Sequence, residues 1–439
     1  MTLTGTISRT RSLNGSVTRS IKVVPKIING QADVLFYDYD GSIVESYSAE
    51  EFLKLQNMPK NPDHTKEELV SQGWNWTLSD AKAYVAKYRM LDIGQMYSTK
   101  KTKLFIELGE GRLHPQLGLC VNGTLDVDWG DGTTHSTMTG TDDTSTLIYT
   151  DHEYASPGKY TIDIKPSTGT TFGFKGIQQG GNLLSKVGAV ANYDNLAYKR
   201  CLKAVFIGSG VSKLANHAFS GYTSLLYCVI GHEITTIGNS VFNSCYSLRT
   251  IIVPSSITAL GTYVFNNCCA MSDVSIPNSV QSIGIESFEY CRSLKRITIP
   301  DSMAELSNYL FNACYSLRYA VIPDSIITIG NRTFFDCWTL FEIRIPDSVI
   351  TIGTYAFYNS IANLIEVGDH VETLNNSAFS TQYGCGVIKF KSETPPTAGS
   401  GVFSNLPTDC KILVPKGSLE AYTSVANYPS AETYTYEEY

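Results

Sequence analysis

The stretch Leu294-Lys-Arg-Ile-Thr-Ile-Pro300, with Ser302, Met303, Leu306, Phe311 and Cys314 behind it, decides the fold. Its pattern returns 23 residues on, as Leu317-Arg-Tyr-Ala-Val-Ile-Pro323 with Ile326, Phe334 and Cys337. The same step carries Cys245, Cys268, Cys291, Cys314 and Cys337, and also Phe219, Phe242, Phe265, Phe288, Phe311, Phe334 and Phe357. Proline keeps it at Pro254, Pro277, Pro300, Pro323 and Pro346. Self-similarity at a fixed period of this size marks a stacked solenoid, whose units hide their apolar faces only against their neighbours. Solenoids present long surfaces, so the first expectation is a binding scaffold without catalysis.

Within one unit, Leu294, Ile297 and Ile299 alternate inward while Arg296 and Thr298 face outward. Proline ends the strand because it has no N–H for the ladder. The string from Ile326 to Gly330, repeated from Val349 to Gly353, places a glycine where the chain is expected to turn back. Phe and Cys then close the convex side. Strands stacking at roughly 4.8 Å make a sheet about 40 Å long from about eight repeats.

The composition narrows the partners. The chain has 439 residues, 43% of them hydrophobic and 11% aromatic, which suits packed domains and not a disordered chain. Its net charge is −7 and it has no dense Lys/Arg cluster, which argues against nucleic acid. No apolar run approaches the ~20 residues of a membrane span, and Met1-Thr-Leu-Thr-Gly-Thr-Ile-Ser lacks the pattern of a signal peptide. Eleven cysteines, five at one place in the repeat, read as free, small apolar core residues. Without CxxC or HxxxH spacing, no metal and no cofactor are expected.

The chain divides into six segments. Residues 1–33 hold a decapeptide echo (Leu3-Thr-Gly-Thr-Ile-Ser, Leu13-Asn-Gly-Ser-Val-Thr) and read as attachment strands for a partner sheet, the alternative being a disordered leader. Residues 34–100 read as a small α+β domain: a strand at Val34, a turn at Asp40-Gly41, a helix capped by Ser48 with Glu51, and a second helix near Ser79. Trp74 and Trp76 are expected to pack between these pieces, a sugar-stacking platform being the alternative. Residues 101–168 read as all-β, 169–201 as linker or N-terminal cap, 202–383 as the solenoid and 384–439 as its C-terminal cap. The fold class is therefore multidomain and mainly β.

Three resemblances refine this. Ile345-Pro-Asp-Ser-Val349, Ile352-Gly353 and Ala356-Phe357 resemble the BspA-like leucine-rich repeat. Ser307, Met271 and Ser360 depart from its glycine, leucine and cysteine, and the period slips after Phe357. Thr394-Pro-Pro396 and Cys410-Lys-Ile-Leu-Val-Pro-Lys-Gly-Ser-Leu-Glu-Ala-Tyr422 resemble that family's closing segment. Val127-Asp-Trp-Gly-Asp-Gly-Thr133, His152-Glu-Tyr154 and Gly158-Lys-Tyr-Thr-Ile-Asp-Ile164 resemble a PKD-type, immunoglobulin-like sandwich, which implies a spacer. Its Asp126, Asp128 and Asp131 are read as strand and turn residues, not as a calcium site. Phe36-Tyr-Asp-Tyr-Asp-Gly41, Gly73-Trp-Asn-Trp-Thr-Leu78 and Gly94-Gln-Met-Tyr97 resemble segments of tail-appendage proteins of phages from gut Firmicutes.

The string Val34-Leu-Phe-Tyr-Asp38-Tyr-Asp40-Gly-Ser42 also resembles the nucleophile motif of haloacid-dehalogenase-type phosphatases. The further motifs of that fold have no room before residue 101, and a hairpin turn explains the string more simply. The seven histidines fall in no triad or metal spacing, so no enzyme is expected.

The candidate recognition face is the outward strand set: Tyr227, Val229, Thr250, Ile252, Asp273, Ser275, Arg296, Thr298, Tyr319, Val321, Glu342 and Arg344. Aromatic and arginine side chains in such a row suit an interface. The resemblances imply a virion tail fibre or receptor-binding protein that contacts a bacterial surface glycan or protein. Residues 1–100 would join other virion tail proteins, and a homotrimer would fit a fibre. The alternatives are a bacterial cell-surface adhesin and a virion decoration without ligand.

Overall fold

The computed structural model describes residues 34–177, 180–181, 183–186, 197–381 and 384–439. The attachment strands expected in 1–33, and part of the linker expected in 169–201, lie outside these residues.

The small domain is a four-stranded sheet with two helices. Its strands are β1 (Val34–Tyr37), β2 (Ile43–Tyr47), β3 (Val70–Trp74) and β4 (Leu91–Ser98), in the order β2-β1-β4-β3. Helix α1 (Ala49–Leu53) starts at Ser48, whose hydroxyl and backbone exchange hydrogen bonds with Glu51 in a capping box. Helix α2 (Leu78–Tyr88) is capped by Thr77. Val34, Phe36, Phe52, Trp74, Tyr84, Val85, Leu91 and Ile93 form its core. Asp38, the first acid of the phosphatase-like string, is buried; it accepts from Tyr97 Oη at 2.8 Å and the Tyr39 N–H at 2.8 Å, and lies 2.6 Å from His64 Nε2.

Next comes an antiparallel section: β5 (Thr102–Leu108), β6 (Pro115–Asp128), β7 (Ser136–Asp151), β8 (Gly158–Pro166) and β9 (Thr171–Gly173). Trp129 is buried, stacks on His152 with centroids 5.1 Å apart, and its carbonyl accepts from Tyr154 Oη at 2.8 Å. Asp131 lies 2.7 Å from His152 Nε2 and accepts from Thr133 Oγ1 at 2.6 Å. The sequence led us to expect a separate sandwich. Instead β5, paired with β8 on one side, pairs on the other with Leu202–Phe206, the first solenoid strand, so one sheet runs through both. β8 occupies one ladder edge of β5 and leaves the other free for the first solenoid strand, while Leu104, Ile106 and Leu108 turn one face of β5 into the shared core. A single core joins Leu104 to Tyr422.

In the solenoid, three-residue strands stack in parallel at one residue per coil, as in Thr250↔Asp273, Ile251↔Val274 and Ile252↔Ser275. The phenylalanine column forms a continuous ring stack with centroids 5.2–5.6 Å apart through Phe379. It reaches Phe403 at 6.1 Å. The slip after Phe357 therefore alters spacing without breaking the stack, and parallel strands continue through Cys385–Phe390 and Lys411–Val414 to Thr435–Glu438. The expected boundary at 383 is not one in the core.

The cysteine column has a polar duty beside its packing. Each thiol from Cys245 to Cys337 donates to a phenylalanine carbonyl one coil back, at 3.1–3.3 Å. Ser360 does the same to Phe334 at 2.7 Å. Each of these carbonyls also accepts the backbone N–H three residues on, as Phe242 does from Cys245 at 3.1 Å, so the small side chain with a weak donor adds a second hydrogen bond that ties one coil to the next. The repeat glycines differ from expectation in their reason. A Cβ on Gly353 would lie 2.5 Å from the Gly330 carbonyl carbon, so glycine here permits coils to approach closely and does not supply a turn. Left-handed φ falls instead on Tyr263, Glu286, Tyr309, Arg332 and Tyr355 (φ 54–60°).

Candidate functional site

The outward residues of the short strands line the concave face, and the small domain sits on its first half. Proline explains the docking. In a parallel ladder each carbonyl awaits an N–H from the next coil; Pro277, Pro300 and Pro323 have none, so the carbonyls of Val253, Ile276 and Ile299 are left unpaired. The small domain supplies all three donors: Asn75 Nδ2 to Val253 at 3.1 Å, Trp76 Nε1 to Ile276 at 3.1 Å and Tyr84 Oη to Ile299 at 2.8 Å. Tyr88 Oη continues the line, donating to Asp301 at 2.9 Å and accepting from the Asp324 N–H at 2.8 Å. Trp76 packs in the small-domain core as expected, 5.3 Å from the Tyr84 ring, and its indole N–H also makes a contact between domains.

Strand β4 completes the seal. Asp92, 1% exposed, accepts from Arg296 Nε at 3.1 Å and Thr298 Oγ1 at 3.3 Å, while its carbonyl takes the Ser275 hydroxyl at 2.7 Å. Burial raises the Asp92 carboxyl above its ordinary range and the Arg296 guanidinium opposes this. Gly94 lies so close to the face that a Cβ would meet Ile252 at 2.5 Å.

The twelve candidate residues therefore divide. Thr250, Ile252, Ser275 and Thr298 are buried under the chain's own domain, and Val229 packs with Leu69, Tyr97 and Phe206. Tyr227, Asp273 and Arg296 are half-buried. Tyr319, Val321 and Glu342 are half-buried and Arg344 is exposed; the small domain touches the coil of Tyr319 at Asp324, through Tyr88. The sequence did not reveal that the face would be filled from within, because nothing in the repeats records a partner 200 positions away. Side chains the sequence reading missed extend the open half: Lys389 pairs with Glu366 at 3.5 Å, Lys391 with Asp347 at 3.1 Å and Lys411 with Glu437 at 2.7 Å. They belong to coils after Phe357, where the slipped period hid their register.

The family model for the BspA type leucine rich repeat region matches in six copies over residues 193–318 and 305–422, more than half of the chain. The chain belongs to this family. No curated protein matches the sequence. A leucine-rich repeat protein from Bacteroides ovatus is similar in structure, with a TM-score of 0.50 and 20% identity over 71% of this chain and 76% of that one. A leucine rich cell surface protein from Faecalibacterium prausnitzii is 23% identical over 48% of this chain and 71% of its own, with a TM-score of 0.37. At 20% identity the likeness to the Bacteroides ovatus protein concerns the fold. In BspA type terms, the match from 193 to 422 holds the concave strands, and the small domain lies outside it. No helix among the described residues is long and apolar enough to cross a membrane.

Proposed function

We propose that the chain is a non-enzymatic recognition protein, carried on a virion tail, whose solenoid contacts a bacterial surface ligand. The observation that carries the recognition reading is the open second half of the concave face, where Tyr319, Val321, Glu342 and Arg344 remain uncovered by the small domain. An interface core favours tyrosine and arginine. The N-terminal strings that resemble tail-appendage segments support the virion setting. The Trp129–Tyr154 hydrogen bond and the Trp129–His152 stack support kinship of residues 101–168 with PKD-type modules, here acting as a rigid root for the solenoid.

The family match supports a cell-surface adhesin equally. Gold-labelled antibody to residues 202–439 separates the two: label on particle tails supports the tail fibre, and label on cell envelopes with bare particles supports the adhesin. Recognition itself is tested by Tyr319→Ala with Arg344→Ala. Lost cell binding with unchanged thermal unfolding is expected, and unchanged binding would leave the decoration without ligand as the better reading.

A further inference from the structure

A second surface lies where the chain enters the concave strands, on an edge the small domain leaves open. One residue per coil forms a column there: Arg249, Ser272, Lys295, Arg318 and Phe341. Backbone hydrogen bonds tie it together, Ser272 N–H to Arg249 at 3.0 Å, Arg318 N–H to Lys295 at 2.8 Å and Phe341 N–H to Arg318 at 3.2 Å. A parallel column holds Tyr246, Cys269, Arg292, Tyr315 and Trp338. The pitch along each is one strand spacing, about 4.8 Å.

Two properties set this edge apart. The protein is acidic, with net charge −7, yet among the described residues Arg249, Arg292, Lys295 and Arg318 form no ion pair, while most cations on the open concave half do. Large aromatic side chains are also held outward among these cations. Tyr246 is 48%, Trp338 45% and Phe341 45% exposed. Tyr315 and Trp338 stack one over the other, with centroids 4.3 Å apart and planes 19° from parallel, which holds the exposed Trp338 ring in place. Arg292 lies over Tyr290 and Tyr315 at 5.6 Å, and Arg318 over Tyr319 at 5.4 Å and Phe341 at 5.8 Å. Such stacking fixes a guanidinium plane and leaves its N–H edge for an incoming anion.

We infer that this edge binds a linear polysaccharide bearing carboxylates on ring sugars. Lys295 and Arg318 on consecutive coils, Arg249 two coils before Lys295 and Arg292 beside them meet spaced carboxylates through charge-assisted hydrogen bonds. The exposed Trp338 ring, held by its stack on Tyr315, offers an apolar face to a pyranose ring, which an acyclic polyphosphate chain does not have. Four cations on an acidic protein are too sparse a footprint for a nucleic acid backbone. This goes beyond the reading above: it concerns the edge that adjoins the Tyr319 face, where Arg318 overlies the Tyr319 ring, and holds on a virion or a cell.

The test is titration of the full chain with polygalacturonate oligomers, at low and at physiological salt, beside a neutral galactan, inorganic polyphosphate and single-stranded DNA. Saturable, salt-weakened binding of polygalacturonate alone is expected. Arg292→Gln with Lys295→Gln and Arg318→Gln should weaken it by about tenfold or more, as expected for losing several charge-assisted contacts. Trp338→Ala should weaken it severalfold without changing thermal unfolding, because the side chain is exposed. Absent binding overturns the inference, as does equal binding of polyphosphate or DNA, or binding that survives the triple variant. Because Arg344→Ala alone, tested on cells, leaves the edge intact, and Trp338→Ala leaves Arg344 intact, failure of either claim leaves the other readable.

Discussion

At the scale of the residue, Glu286 shows how the repeat places side chains under constraint. It occupies a left-handed position (φ 60°) on the convex side, accepts from Tyr263 Oη at 3.2 Å, and its pKa is raised to about 7. Burial is the first cause, and the hydrogen bond and charge of Glu289 add to it. The folded carboxyl thus holds its proton where the unfolded one, at an ordinary 4.5, has lost it. Stability from this group is complete below pH 4.5 and is lost as pH rises toward about 7. We expect Glu286→Gln to flatten that decline in a series of denaturant melts across the window; an unchanged pH slope would assign the decline to other groups.

At the scale of the element, the coil is held by columns and not by isolated contacts. Phe288, fully buried between Phe265 at 5.2 Å and Phe311 at 5.5 Å, should cost about 3–5 kcal/mol on truncation to alanine. Gly353→Ala should cost about 1–3 kcal/mol by forcing a methyl against the Gly330 backbone. Ser307 shows when that position admits a side chain: its hydroxyl finds the Ile283 carbonyl, a partner that alanine lacks. Equilibrium unfolding measures both, and a neutral Phe288→Ala would mean that the ring stack is not the core.

The sequence shows this scale well, because a column requires the same chemistry every 23 residues: strand, proline, Phe and Cys are all readable from Leu294 to Cys337. The reason for the glycine was not readable, since turn and close approach select the same residue. Nor was the join of β5 to Leu202–Phe206, because an alternating strand looks the same whichever sheet it edges.

At the scale of the whole molecule, the solenoid is a scaffold that binds its own N-terminal domain. Buried charge makes the contact selective. Arg296→Ala would leave Asp92 buried without its counter-charge, and we expect a loss of about 3–5 kcal/mol. Removing Asp92 as well should restore part of it, and calorimetry of the two single variants and the double variant gives the coupling. The concave face was legible as a face but not as an occupied one. Asn75, Trp76 and Tyr84 answer to carbonyls that three prolines expose, and that logic appears only once coils are stacked and an adjacent domain lies within reach. The consequence is a division of labour along one surface, with the first coils closed, the coil of Tyr319 held by the small domain at Asp324, and Glu342 and Arg344 in the coil after it.

Amide hydrogen exchange on the full chain, comparing the parent with Trp76→Ala combined with Tyr84→Ala, tests this arrangement most directly. Strand β4 and the facing strands Thr250–Ile252, Asp273–Ser275 and Arg296–Thr298 should lose protection together, while Glu342–Arg344 and the later coils stay as they were. Unchanged exchange at those three strands, with loosening confined to the small domain's own core, would contradict the docking and return the whole concave face to solvent.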